Sequence, residues 1–402
     1  METALDRFLR YASLDTTSSE DAQATPSTPG QWELARMLEG ELKALGAQRV
    51  LLDGNCYVYG MLPANTPGQP VIALIAHLDT ADAVPGRDFR PRVVRFTGKD
   101  VVLSEEHGVR LSPADFPGLT RHTGQDLVVT GGTTVLGADD KAGIAEIMTA
   151  FEYLAGHPEV PHGEVWAVFT PDEEIGGGAD KLQLDYIHAD FGYTLDGGAP
   201  DEIEYENFNA AQATIRIRGR NVHPGYARGK MVNAARLAAA FQSMMPTDET
   251  PEATQGYEGF FHLRKITGDE ENATLQYLIR DHDAARFEQR KEFLRDLAAR
   301  MDREHGEGRF NLDIKDSYRN MKEVVSLRPE VLERAERAIR ACGMEPRAVP
   351  IRGGTDGARL SFRGLPCPNL GTGGENWHGV HEFLPVGMLD RMVKVVVEIV
   401  RA

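Results

Sequence analysis

Three short runs constrain this chain more than any other feature. PVIALIA (70–76), GEVWAVF (163–169) and FGYTL (191–195) are apolar at nearly every position. A strand that alternates apolar and polar residues can leave one face wet, but a run without polar alternates must be covered on both faces. Between the first two lies DKAGIAEIMTAFEYLAGHP, with Ile144, Ile147, Met148, Phe151 and Leu154 on one stripe. That spacing predicts an amphipathic helix, stopped by Gly156 and Pro158. Strands alternating with helices predict an α/β layer with a mainly parallel sheet and flanking helices. VVRFTGKDVVLSEEHGVRLS reads as a hairpin excursion from that rhythm, and DTTSSEDAQATPSTPGQ (15–31) as a polar loop.

Near Asn209 the pattern changes. ATIRIRG sets Ala213, Ile215 and Ile217 against Thr214, Arg216 and Arg218, the signature of a strand with one wet face. A helix (VNAARLAAAFQSMM), two alternating strands, a second helix from about Asp283 to His305 and a closing strand (FNLDIKD) follow. The order β-α-β-β-α-β predicts a ferredoxin-like α+β domain over 207–317. The flanking pieces, 1–206 and 318–402, then form one discontinuous α/β domain. Two domains also suit a chain of 402 residues.

The formal net charge is −17. Such a surface repels phosphate backbones and anionic lipid, so neither nucleic acid nor membrane is an expected partner. The amino terminus lacks the apolar core of a signal peptide, and no run reaches the ~18 apolar residues that cross a bilayer. Cys56, Cys342 and Cys367 are scattered without metal-type spacing, which suits reduced thiols and a cytoplasmic location.

Candidate donors fall where the apolar runs end. His77 and Asp79 stand two apart in IAHLDTAD, so strand periodicity puts both on one face. Asp139 precedes the helix in LGADDKAG, Glu173 and Glu174 follow the second run in FTPDEEIGGGA, and Asp196 follows the third in TLDGG. Each has an ordinary explanation alone: a helix cap for Asp139, turn chemistry for Asp196, a helix first turn for the glutamates. The acidic pair is itself uninformative, since 61 acidic residues in 402 predict about nine such pairs by chance. Together, however, these residues supply nitrogen and oxygen donors for a zinc-like metal at the edge of an α/β sheet where sites collect.

IAHLDT, GADDKAG, FTPDEE, NVHPG, MVNAA, IRGGTDGA, GLPCPN and HGVHEF follow one another from residue 75 to residue 383. In that order they resemble the M20 metallopeptidase family, and within it the tripeptide aminopeptidases. The resemblance implies two zinc ions, with cobalt or manganese as substitutes. One would be held by His77 and Asp196, the other by Glu174 and His378, with Asp139 bridging. His378 is preferred over His381 because the family's ligand histidine stands four residues before an acid, here Glu382. Asp79 would brace the His77 ring, and Glu173 would be the general base toward water activated between the metals. The resemblance further implies a homodimer through the inserted domain, with His223 stabilising the oxyanion in another subunit's site. Arg280, Asn233 and Arg352 would hold the carboxylate end of a small peptide, and Asn376 would help receive its amino terminus.

Rival readings keep the metals and change the substrate. Another M20-type hydrolase (a dipeptidase, carboxypeptidase or N-acyl amino acid deacylase) would share the metal chemistry. A two-metal phosphoesterase is less well supported, because GGTTVLGADDK lacks the G-x-x-x-x-G-K-[ST] phosphate-loop pattern. A non-catalytic metal-binding protein would be expected to have lost Glu173, which is present.

Overall fold

A computed structural model describes residues 2–402. The chain divides into two compact units. The first runs to Tyr205 and resumes over Met321–Val349 and Thr355–Ala402; the second comprises Glu206–Asn320 with the short return segment Pro350–Gly354.

The first unit's main sheet has eight strands in the order Gln48–Leu52, Val58–Leu62, Val165–Thr170, Ile72–His77, Phe191–Gly197, Asn369–Gly371, Glu202–Asn207, Arg347–Ile351, the last two continuing past the unit's boundaries at Tyr205 and Val349. The centre of the sheet is parallel. Ile72–His77 pairs in parallel with both Val165–Thr170 and Phe191–Gly197, and the latter with Asn369–Gly371. Gln48–Leu52, Val58–Leu62 and Glu202–Asn207 join antiparallel. The first two are successive strands linked by a short connection, which permits only antiparallel pairing; a parallel neighbour needs a crossover.

Alternate residues of the central strands enter two different cores. Ile72, Leu74 and Ala76 pack with Ala167 and Phe169, while Ala73 and Ile75 pack with Trp166, Val168 and Leu360. Each of the larger side chains among these contributes roughly 1.5–3 kcal/mol when fully buried, which is why these runs tolerate no polar alternates.

The helix Ala138–Gly156 departs from expectation. It is interior rather than amphipathic: besides the apolar stripe, Ala142, Ala145, Ala150 and even Lys141 and Glu146 are buried. The strand Ile72–His77 and the helices Ala4–Ala12 and Val386–Val400 all pack against it. A three-stranded antiparallel sheet, Phe383–Pro385, Asp126–Val129 and Arg92–Arg95, and a hairpin of Val101–Ser104 with Val109–Leu111 complete the unit's β-structure.

The second unit is an antiparallel sheet in the order Phe260–Gly268, Asn272–Asp281, Asn209–Arg218, Phe310–Tyr318. Helices Ala234–Ser243 and Ala284–His305 cover it through Leu237, Phe241, Leu294 and Met301, against Ile215, Leu275 and Ile279. Each helix starts at a side-chain cap: Asn233 accepts from Arg236 N–H and Asp283 from Arg286 N–H. The segment Pro350–Gly354 belongs here because Arg352 donates to the carbonyls of Gly256 (2.8 Å), Glu258 (3.0 Å) and Thr254 (3.2 Å). Its guanidinium also lies over the rings of Phe208 and Phe260.

Candidate active site

Strand register brings the donors of the first unit level. Ile75 pairs with Thr194 and His77 with Thr170. Two residues further along, Asp196 therefore stands level with His77, and the loop carrying Asp172, Glu173 and Glu174 leaves the sheet at the same edge.

Two groups of donors meet there. His77, Asp139 and Asp196 form one, and Asp139, Glu174 and His378 the other, with the donor atoms of each group within 4.8 Å of one another. Asp139 belongs to both. Its Oδ1 lies 2.8 Å from His77 Nε2, and its Oδ2 lies 3.1 Å from His378 Nε2. Asp196 Oδ1 approaches His77 Nε2 at 3.6 Å, and Glu174 Oε2 approaches His378 Nε2 at 3.2 Å.

Asp79 binds this cluster together from behind. Its backbone carbonyl lies 3.0 Å from His77 Nδ1, which fixes the ring with Nε2 turned toward Asp139. Its fully buried carboxylate accepts the N–H groups of Glu173 (2.9 Å) and Glu174 (3.1 Å). The side chain therefore places the glutamate loop, while the main chain orients the histidine.

The electrostatics are those of a cation site. Burial pushes Glu174 up to about 7, helped by Asp139. Burial also pushes Asp196 up to about 6. Hydrogen bonds to Asp139 and Glu174 raise His378 to about 11. Burial opposes a charge on His77, but Asp139, Asp196 and Asp79 around it raise its pKa nonetheless. Glu173 is raised well above the carboxylate range by burial and by the Asp196 charge. Glu174 Oε1 is buried without a hydrogen-bond partner, an arrangement that is costly in a bare protein. Carboxylate and imidazole donors in two groups of three, sharing one carboxylate, fit a pair of divalent cations.

Asp172, the residue before the two glutamates, has a defined partner set of its own. Its carboxylate accepts from Ser27 N–H (2.9 Å), Ser27 Oγ (2.5 Å) and Gln31 Nε2 (2.7 Å). The expected polar loop at 15–31 is thus partly interior, with Thr16, Ser18 and Gln31 buried, and its end is already helix from Gly30. Polar composition suggested solvent because the acceptor, Asp172, lies 145 residues away from Ser27. Asp356 was also missed. It is buried, accepts from Thr170 Oγ1 at 2.9 Å, and is pushed up to about 6 by burial. The IRGGTDGA motif pointed to this turn without singling out its aspartate.

The remaining candidates are placed as follows. Asn376 stands two residues before His378 with its amide donating to His381 O at 3.3 Å. His223, Asn233, Arg280 and Arg352 lie in the second unit. His223 is exposed, and its Nδ1 accepts from Gly225 N–H at 3.2 Å. Asn233 Oδ1 serves as the helix cap. Arg280 lies over the Tyr318 ring at 4.8 Å and forms no ion pair among the described residues. Arg352 already spends its donors on the 254–258 loop.

The family described as a peptidase dimerisation domain of the M20 type matches residues 205–309, which takes in the second unit's first three strands and both helices and stops short of the strand Phe310–Tyr318. With that domain inserted in an α/β unit whose sheet edge gathers carboxylates and histidines, the protein falls in the class of M20 metallopeptidases. A curated relative, peptidase T of Desulfitobacterium hafniense, is 50% identical over 402 residues, covering 100% of this chain and 98% of that one. The chain therefore belongs to the peptidase T family. Among solved structures, aminopeptidase PepT from Bacillus cereus superposes with a TM-score of 0.78 at 24% identity, covering 99% of this chain and 97% of that one. A tripeptidase from Staphylococcus aureus also gives 0.78, at 23% identity and 99% and 96% coverage. These two likenesses establish the fold.

Proposed function

We propose that this protein is a two-metal aminopeptidase that releases the N-terminal residue from tripeptides. The observation that carries the reading is Asp139, one carboxylate shared by two three-donor groups, beside a buried Glu174 oxygen that lacks a partner. His77, Asp139 and Asp196 would hold one cation and Asp139, Glu174 and His378 the other, with Zn2+ the first choice and Co2+ or Mn2+ as substitutes. Two such cations lower the pKa of water and polarise a peptide carbonyl.

The chain's own residues do the rest. Glu173 takes a proton from the attacking water and delivers it to the leaving amine. Asp79 keeps the Glu173 main chain in place during both transfers. His223, acting in the site of a partner subunit, stabilises the developing oxyanion; the matched dimerisation domain supports such a homodimer. Arg280 is offered as the receiver of the peptide carboxylate, since its guanidinium has no acidic partner among the described residues. Asn233 would assist through its free amide N–H2, and Asn376 at the amino end. Arg352 is the weakest of these, its donors being engaged.

The test is hydrolysis of a free tripeptide against its N-acetylated form, after chelation and stepwise return of Zn2+. Cleavage of the free peptide alone supports the aminopeptidase. Preference for the blocked peptide would move the protein to the deacylases or carboxypeptidases of the same class.

A further inference from the structure

Glu382 stands four residues after His378, and no role follows for it from the proposed chemistry. It is buried, and its carboxylate accepts four consecutive main-chain N–H groups. Oε2 receives Leu136 (2.6 Å) and Gly137 (3.0 Å), and Oε1 receives Ala138 (2.8 Å) and Asp139 (3.3 Å). No ion pair reaches it among the described residues, so its charge is balanced by these amides, which form a main-chain nest for an anion.

Asp139 needs such a support. Its backbone is not helical (φ −85°, ψ 104°), and neither is that of Asp140, so the hydrogen-bond ladder of the helix does not fix where Asp139 points. Gly137, at φ +76°, lets the preceding loop curl around the carboxylate. Glu382 is delivered there by the strand Phe383–Pro385, which pairs with Asp126–Val129 through Phe383 and Val129. Thr130 Oγ1 holds Val380 O at 2.7 Å within the same segment. One short stretch of chain thus carries the His378 donor at one end and the clamp on Asp139 at the other.

We infer that Glu382 is the positioning residue that presents Asp139 to both cation sites at once, so that occupancy of the two sites depends on it jointly. This rests on the two-metal reading above. A glutamine would supply one acceptor oxygen and would turn an N–H2 toward two N–H donors, loosening the loop without changing any donor to metal.

The experiment is Zn2+ competition against a chromophoric chelator with the wild-type protein and the variants Glu382→Gln, Gly137→Ala and His378→Ala, with far-UV circular dichroism to report folding. Wild type should bind two Zn2+. His378→Ala should weaken one of them. Glu382→Gln, still folded, should weaken both by about 10–100-fold, the usual effect of losing a partner that orients a ligand. Excess Zn2+ should then restore kcat with KM for a tripeptide unchanged. A folded Glu382→Gln protein that binds both ions as tightly as wild type, or loosens only one, overturns the inference. A wild-type protein that binds fewer than two ions instead defeats the two-metal reading. Should Glu382→Gln fail to fold, Gly137→Ala decides: it strains the same loop, its Cβ meeting Thr80 Cγ2 at 3.1 Å. Joint loss of both ions supports the inference, and unchanged binding of both overturns it.

Discussion

One carboxylate oxygen of Asp79 accepts the backbone N–H of Glu173 at 2.9 Å. The other accepts the N–H of Glu174 at 3.1 Å, so a side chain at the end of one strand sets the position of a loop at the end of its neighbour. Asp79→Asn leaves one acceptor and faces an N–H2 group against a backbone donor. We expect kcat to fall by about 10–100-fold and stability to fall by about 1–3 kcal/mol from the unsatisfied buried donor, measured by steady-state kinetics and thermal unfolding of the metal-loaded protein.

Glu173 lies in neither three-donor group, although its neighbour Glu174 does. Replacing it with alanine should remove proton transfer and spare the ligands. The expected loss in kcat is about 10²–10⁴-fold, with metal content by elemental analysis equal to wild type. A Glu173→Ala protein stripped of metal would show that the roles of the two glutamates have been misassigned.

Metal binding should release protons. His378, raised to about 11 by hydrogen bonds to Asp139 and Glu174, is protonated at neutral pH in the metal-free protein. Glu174, pushed to about 7 by burial, is partly so. Both must lose their protons to ligate, so the metal-free form holds more protons than the loaded one and affinity rises with pH from 6 to 8. Calorimetry of Zn2+ binding at pH 7 in buffers of different ionisation enthalpy should show net proton release. Proton uptake, or no dependence on buffer, would contradict the site.

Two glycines should respond oppositely to alanine. Gly178, in the run after the acidic cluster, has no room: a Cβ there would stand 2.2 Å from Asp356 Oδ2. Gly178→Ala should destabilise the protein by about 1–3 kcal/mol through overpacking. Gly40, exposed within the helix Gly30–Ala44, meets nothing within 4 Å. Gly40→Ala should stabilise by about 0.5–1 kcal/mol, from helix propensity and a less flexible unfolded chain. Urea unfolding of the two variants beside wild type measures both.

Much of the catalytic unit's frame was legible from local pattern. Runs without polar alternates located the three central strands, and the donors stood at their carboxyl ends. The second unit was clearer still, because the strands Asn209–Arg218 and Asn272–Asp281 alternate and each of its helices opens on a side-chain cap. The interior burial of Ala138–Gly156 was not legible. Its sequence shows a stripe of large apolar residues, but alanines elsewhere on the surface do not reveal that outer helices cover them.

The chain's own order of residues determined which types of donor were present and at which strand ends they would emerge, since backbone periodicity and side-chain volume act over a few residues. It could not determine which of them meet. Asp139 and His378 are 239 positions apart, Ser27 and Asp172 are 145 apart, and Glu382 grips amides up to 246 residues away. Only tertiary packing brings such groups within hydrogen-bonding range. Electrostatic and hydrogen-bond energies depend on distance through space, and local sequence spacing does not encode it.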